Sequence, residues 1–185
     1  MKLNLGCGFN KLAGYVNVDK YPTCSPDLQV DMEVFPWPFE SDSVDEVVFN
    51  HSLEHMGAAA DDFLHIMQEL YRVCKGEALV RINVPHPRHD NFIGDPTHVR
   101  IVSPQVLNLF SKKLNHSWRE RGLPNTPLAL YTDVDFEVME VIQILENSYL
   151  QSFQSGAISE QELRVMVDEK NNVVSEYKMV VKVIK

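Results

Sequence analysis

Leu3-Asn4-Leu5-Gly6-Cys7-Gly8, followed by Gly14-Tyr15-Val16-Asn17-Val18-Asp19, is the stretch whose reading decides the fold. Glycine weakens regular structure unless a turn or a close neighbour needs the missing side chain. Leu3–Leu5 therefore reads as a short buried strand that ends on a bare-backbone turn. Residues 15–19 read as a second strand that ends on a carboxylate. In an open parallel sheet, ligands bind beyond the carboxyl ends of the strands, where the strand order reverses. There a glycine turn lets a ligand press on backbone, and an acid can accept hydrogen bonds from both hydroxyls of a ribose. The pair points to a nucleoside-containing cofactor. A simple tight turn and a surface acid are the plainer alternatives.

Outward from this stretch the pattern continues. Leu28–Asp31 is a third extended piece ending on an acid, and Val44–Phe49 a fourth strand. Between them Phe35-Pro36-Trp37-Pro38-Phe39 must be a loop, because two prolines exclude helix and central strand. Trp37 and Phe39 are expected to plug the core beneath it. Phe63, Ile66, Met67, Leu70, Tyr71 and Val73-Cys74 recur at helical spacing, and Gly76 is expected to stop that helix. Ala78–Val84 is a fifth strand, closed by Pro85. Near-continuous apolar strands joined in this order predict a mostly parallel sheet covered on both faces. Residues 136–145 and 177–184 alternate as strands and are expected to form an antiparallel edge hairpin. Between them Ser159-Glu160-Gln161-Glu162 starts a helix read as solvated. The expectation is an α/β, Rossmann-like, doubly wound sheet of about seven strands, in a single domain over 1–185.

Composition narrows the partners. The chain has 185 residues, enough for one domain with a real core. Its formal net charge of −9 argues against a broad nucleic-acid footprint, which needs clustered Lys and Arg. No apolar run approaches the roughly 20 residues of a membrane span, and no signal-peptide pattern precedes Leu3. Cys7, Cys24 and Cys74 are too few and too widely spaced for a disulfide framework. Reduced thiols and a cytoplasmic location are the simplest reading.

The cofactor carries no phosphate that this sequence can anchor. A dinucleotide fingerprint, Gly-x-Gly-x-x-Gly, opens a full helix whose N-terminus holds the pyrophosphate. Here the third glycine position is Lys11, and ten residues separate Gly8 from Asp19, too few for a turn, a normal helix and a strand. A P-loop signature is absent as well. Ribose without phosphate points to S-adenosylmethionine. The stretch 3–19, the run Phe35–Val48 and the segment Asn50-His51-Ser52-Leu53-Glu54-His55 together resemble the class I S-adenosylmethionine-dependent methyltransferases, over roughly residues 3–84. The resemblance is to their compact, type 11-like subgroup with a shortened first helix. It implies that the Gly6-Cys7-Gly8 backbone lines the methionine portion and that Asp19, with Lys20 beside it, meets the ribose. It implies further that Asp31 meets the adenine amino group and Met32 its ring, with the Asn50 carbonyl facing the methionine ammonium and His51 beside it. Where the family usually has an acid two residues before the first glycine, this chain has Asn4. An amide there can accept from the ammonium or orient the loop.

The acceptor side must come from elsewhere, and residues 85–133, rich in Pro, His, Asn and Arg, are the expected lid and acceptor wall. One helix is expected in them, with Ser103 as N-cap and Pro104 in its first turn. A general base is needed only where the acceptor loses a proton; His51, His89 and His98 are the candidates. Arg88 and Arg100 are candidates to clamp an anionic group. His86, His89 and His98 with Asp90 and Asp95 offer metal-type donors, but a proline between the histidines prevents a shared helical face, so no metal is expected. The resulting reading is methyl transfer to oxygen or nitrogen of a small molecule. A protein methyltransferase and a non-catalytic S-adenosylmethionine sensor or silent subunit are the alternatives. The oligomeric state is not legible.

Overall fold

The structure, a computed structural model, describes all residues 1–185. Seven strands form one sheet: β1 (Lys2–Leu5), β2 (Val16–Asp19), β3 (Leu28–Gln29), β4 (Val44–Asn50), β5 (Cys74–Pro85), β6 (Phe136–Leu145) and β7 (Val174–Val183). Their order is β3-β2-β1-β4-β5-β7-β6. The first five pair in parallel, while β7 runs antiparallel between β5 and β6. The sheet winds outward in both directions from the β1/β4 boundary, so the strand order reverses there. The predicted class, a mostly parallel Rossmann-like sheet with an antiparallel edge hairpin, is what is observed.

Seven helices accompany the sheet: α1 (Ala60–Val73), α2 (Asp90–Ile93), α3 (Pro104–Asn108), α4 (Lys112–Glu120), α5 (Leu128–Thr132), α6 (Asn147–Gln154) and α7 (Glu160–Glu169). The longest, α1, buries Phe63, Ile66, Met67, Leu70 and Val73 along one stripe. Asp61 and Asp62 in its first turn and Arg72 in its last oppose the helix dipole favourably. That stripe meets Val80, Ile82 and Val84 of β5 and Leu5, Val47 and Phe49 beside them in one core. Each such aliphatic or aromatic side chain contributes about 1.5–3 kcal/mol on burial. Phe110, just past α3, meets Phe63 of α1 edge to face at 6.1 Å, so the region after β5 extends the same layer. Trp37 fills the core below the loop that follows β3, its indole N–H donating to the Met32 carbonyl at 2.9 Å.

Three sequence expectations need correction. Gly76 does not end α1: the helix stops at Val73, where Cys74 turns extended to pair with Val44, and Gly76 lies inside β5. The two faces of the sheet are covered unequally. Where a second helical layer was expected, Lys2, Glu46 and Arg81 form a partly exposed ion-pair cluster, with Glu46 2.7 Å from each cation. Alternate residues of β5 show why, since Ala78, Val80 and Ile82 are buried while Glu77 and Arg81 are exposed. Finally, residues 85–133 hold four short helices rather than one. The signals for α4 were its Ser111 N-cap, which accepts from Leu114 N, and the buried Asn115 that ties α4 to Leu109 and Ala129. The expected Ser103 cap of α3 and the Ser159–Glu162 capping box of α7 are both present. No helix is long and apolar enough to cross a membrane, and all three cysteines are free.

Candidate functional site

The β1→β2 connection contains no helix, so side chains must hold the glycine turn in place. Asn4, 1% exposed, donates to the Asn10 carbonyl at 3.0 Å and to Asn17 Oδ1 at 2.9 Å. Asn17 in turn accepts from Leu12 N and donates to Asp27 Oδ2, which also accepts from Asn17 N. These bonds draw the Asp27 carboxyl below its ordinary range, the backbone bond from Asn17 being the larger cause. Asn4 thus spends its amide on the loop. Gly6 (φ +69°) and Gly8 (φ +49°) then follow in the left-handed region, and Gly6 and Cys7 both donate to the Val18 carbonyl.

Asp19 closes β2 beside this turn. Its Oδ2 accepts from Gly8 N at 2.8 Å and its Oδ1 from Tyr21 N at 2.9 Å. A carboxylate offers about four lone-pair sites, so acceptor capacity remains on both oxygens. The acid therefore shapes the glycine turn and faces the crevice at the same time.

That crevice, about 750 Å³, opens at the carboxyl ends of β1, β2 and β4, and its size suits a small-molecule site. Gly6, Gly8, Asp19, Lys20, Asp31, Met32 and His51 line it, as do Tyr21, Val30 and Glu33. The far wall is Ser52, His55, Met56 and Ala58 with Pro96, Thr97 and Val99. Asp31 Oδ1 accepts from Glu33 N at 3.0 Å, and Glu33 Oε1 accepts from Gly57 N at 2.7 Å. The 31–33 loop and the far wall are thereby tied together.

Three residues expected at the cofactor do not line the crevice. Asn4 is committed to the loop as described. Cys7 is buried, its Sγ against the Gly8 carbonyl at 3.4 Å, and burial, then the Asp19 charge, pushes its thiol up. Asn50 turns its side chain to Asn83, accepting from Nδ2 at 2.9 Å.

The three candidate bases separate. His51 lines the crevice at the end of β4 with φ +52°, a left-handed conformation for a residue with a side chain. Its Nδ1 lies 3.6 Å from Glu54 Oε1 and its Nε2 3.5 Å from Glu176 Oε2. The Glu54 carboxylate, and secondarily that of Glu176, holds the imidazolium form above its ordinary range despite partial burial. His89 is 6% exposed, its Nδ1 accepting from Asn91 N and its Nε2 3.3 Å from Glu146 Oε2, away from the crevice lining. His98 sits behind the far wall: its Nδ1 is 2.9 Å from the Phe92 carbonyl and its ring packs on His55 at 4.6 Å.

The set His86, His89 and His98 is not brought together. His86 packs at a tilt against Tyr177, ring centroids 4.8 Å apart, and accepts from Arg88 N; burial lowers its pKa. Neither arginine is free to clamp an anion. Arg88 donates to the carbonyls of Val167 and Asp168 at the end of α7. Arg100 donates to the carbonyls of Gly57, Ala58 and Ala59 and lies over the Phe63 ring at 4.9 Å. Of the expected acceptor insert, only the 96–99 segment lines the crevice, and α3–α5 pack elsewhere. Sequence reasoning had not singled out Tyr21, Glu33 or Met56 as crevice walls. Their only signal was position after strands two, three and four.

Residues 3–82 match the family described as "Methyltransferase domain". No curated protein sequence matches the chain. Among solved structures, the fold is similar to an S-adenosylmethionine-dependent methyltransferase from Archaeoglobus fulgidus, with a TM-score of 0.63 at 18% identity. That match covers 98% of this chain and 85% of the other. An S-adenosylmethionine-dependent methyltransferase from Mesorhizobium loti matches with a TM-score of 0.52 at 13% identity, over 98% and 90% of the two chains. The [4+2]-cyclase SpnF matches with a TM-score of 0.54 at 13% identity, over 99% and 75%. At these identities the structures share the fold.

Proposed function

We propose that the chain is a class I S-adenosylmethionine-dependent methyltransferase and that it methylates an oxygen or nitrogen of a small molecule held against the far wall of the crevice. One observation carries the reading. The backbone of Gly6 and Gly8 and the Asp19 carboxylate, two features expected from the resemblance, line one crevice with acceptor capacity left on the acid. S-adenosylmethionine fits this lining: a bare backbone for its methionine portion, Asp19 for its ribose, and Asp31 and Met32 for its adenine. When bound, it supplies a methyl group already activated on a sulfonium.

The protein's own task is then alignment and exclusion of water, which supplies much of the rate in such a displacement. Residues 52–58 and 96–99 form the proposed acceptor wall, a narrower element than the 85–133 insert. Met56, Pro96 and Val99 give it an apolar surface, and Thr97 a polar point. Where the acceptor is a hydroxyl, His51 is the base we propose. It borders the crevice, and the carboxylates of Glu54 and Glu176 can steady the imidazolium it forms. His89 and His98 are not assigned a proton-transfer role.

Calorimetric titration of the full chain with S-adenosylmethionine and with S-adenosylhomocysteine tests the site. Binding of both, at one per chain, is expected, and Asp19→Ala is expected to weaken both. Methyl transfer to a small-molecule panel but not to protein substrates would support the acceptor class. Binding without turnover on any panel would favour the silent-subunit reading. A folded protein that binds neither compound would end the proposal.

A further inference from the structure

Glu54 is wholly buried, yet no protein donor reaches either of its carboxylate oxygens. Its backbone is fixed by contrast: the carbonyl accepts from both Val99 N and Arg100 N at 3.0 Å. That pins the turn 53–55 against the 96–100 segment and brings His55 and His98 to the same carboxylate. One donor atom from each of Glu54, His55 and His98 lies within 4.8 Å of the others.

The two imidazoles are held in one tautomer. His98 Nδ1 lies 2.9 Å from the Phe92 carbonyl, an acceptor only, so Nδ1 carries the proton. His55 Nδ1 lies 3.2 Å from the Thr97 carbonyl and 3.0 Å from Thr97 Oγ1, whose own proton goes to Asp95 Oδ1 at 2.6 Å. It too must donate. In the neutral form of each ring Nε2 is therefore the atom with the lone pair. A ring N–H bonded to a carbonyl is the outer arrangement that orients histidines toward a metal.

We propose that Glu54, His55 and His98 bind a divalent first-row transition metal ion. Two imidazole nitrogens and one carboxylate suit zinc, iron or manganese and leave coordination positions open. With ligand bonds of about 2.0–2.2 Å the donors stand roughly 3–3.6 Å apart, so closure needs side-chain movements of about an ångström. The competing explanation for Glu54 is His51, whose Nδ1 stands 3.6 Å from Oε1, beyond hydrogen-bond reach. His51 addresses one oxygen from the half-exposed side and leaves the other unmet. Asp95 Oδ2, 3.8 Å from His98 Nε2, is the nearest further carboxylate.

His55 borders the crevice, so an ion held there stands at the acceptor wall. It would polarise an oxygen-bearing acceptor and ease loss of its proton. That consequence rests on the methyltransferase reading; the metal site does not.

The test is metal uptake by the full chain, stripped with chelator and titrated calorimetrically with Zn²⁺ and Mn²⁺, with Co²⁺ absorption as a report on ligand geometry. One ion per chain is expected, with a rise in Tm on binding. Glu54→Gln and His98→Asn should each lower affinity at least 100-fold and cancel the rise in Tm. His116→Asn, at an exposed histidine of α4, should change neither. Metal-free Glu54→Gln should keep the wild-type circular dichroism spectrum, so that its loss of affinity reads as loss of a ligand and not of the fold. Absence of one-to-one uptake by wild type would overturn the proposal, as would wild-type affinity in Glu54→Gln or His98→Asn. Titration of the metal-free protein with S-adenosylmethionine keeps a failure of this site distinct from a failure of the cofactor reading.

Discussion

Replacing the first glycine of the turn by alanine tests how the cradle is built. Gly6 sits at φ +69°, and a Cβ there would stand 2.5 Å from Ser52 Cβ, 3.1 Å from Ser52 Oγ and 3.2 Å from Met56 Cε. Carbon atoms rest about 3.5–4.0 Å apart, so Ser52 must retreat by about an ångström. It is poorly placed to do so, being buried with its hydroxyl donating to the Leu5 carbonyl at 2.7 Å. The left-handed backbone costs about 1–2 kcal/mol for a residue with a side chain, and overpacking adds about 1–3 kcal/mol. Gly8 provides the control: φ is +49°, but an added Cβ meets no protein atom within 4 Å. Gly8→Ala should therefore lose about 1–2 kcal/mol and Gly6→Ala about 2–5 kcal/mol. At roughly 2–4 °C of Tm per kcal/mol for a chain of this size, thermal melts followed by circular dichroism separate the two. Ser52→Gly should relieve the clash, so that adding Gly6→Ala in that background costs only the backbone share, a coupling read from a double-mutant cycle. Equal melting of Gly6→Ala and Gly8→Ala, or no coupling with Ser52→Gly, would refute the packing argument.

Asp19→Asn keeps the size of the side chain but loses one acceptor and the charge; it should raise the Kd for S-adenosylmethionine about 10- to 100-fold, or about 1.4–2.8 kcal/mol, by calorimetry. An unchanged Kd would move the ribose elsewhere. His51→Gly should be about 1 kcal/mol more stable than His51→Ala in urea titrations, because only glycine relieves φ +52°, while both lose turnover of a hydroxyl acceptor. Equal stability would mean that the left-handed backbone at the end of β4 carries no strain. Glu46 is held down to about 2 from 4.5, by Lys2 first and then Arg81. A depressed carboxyl contributes stability above its unfolded pKa and loses it as pH falls through the folded value. The wild type should thus lose on the order of 1 kcal/mol from this cluster between pH 4.5 and 2, after allowance for half-exposed cations. Glu46→Gln should flatten that part of the acid-unfolding curve, and an identical curve would remove the cluster from the stability account.

What the sequence could reveal depended on how local the cause was. Strands β1, β2 and β4, the Ser103 and Ser159 caps and the Gly6–Gly8 turn are fixed by neighbours in the chain, and each was legible. The catalytic expectations were not, because they depended on which distant segments meet. His89 and His98 are nine residues apart, yet one answers to Glu146 and the other to His55. Arg88 and Arg100 looked like anion clamps only while the carbonyls at 57–59 and 167–168 were unknown partners. The polar second face was written in the alternation of β5, but the apolar density of β4 masked it. Glu54 gave no signal at all, since an acid in a histidine-flanked turn reads as solvated until burial is known.

The missing first helix connects these points. A helix N-terminus after β1 would bring partial positive charge to the turn, useful against a pyrophosphate and unfavourable beside a sulfonium and an ammonium. Here the turn is held instead by neutral amides, Asn4 and Asn17, backed by Asp27. The carboxylates that line the crevice are Asp19, Asp31 and Glu33, with Lys20, His51 and His55 opposite in charge type. Asp19, which accepts from Gly8 N, serves both the turn and the crevice. Asn4→Asp would add a charge inside the scaffold without a free lone pair facing the ligand. It should cost stability through the lost donors to Asn10 and Asn17 while leaving cofactor affinity within about threefold once refolding is matched, a difference under about 1 kcal/mol. Tighter binding by tenfold or more would show that position 4 addresses the ligand directly, and that the amide network is not what holds the turn.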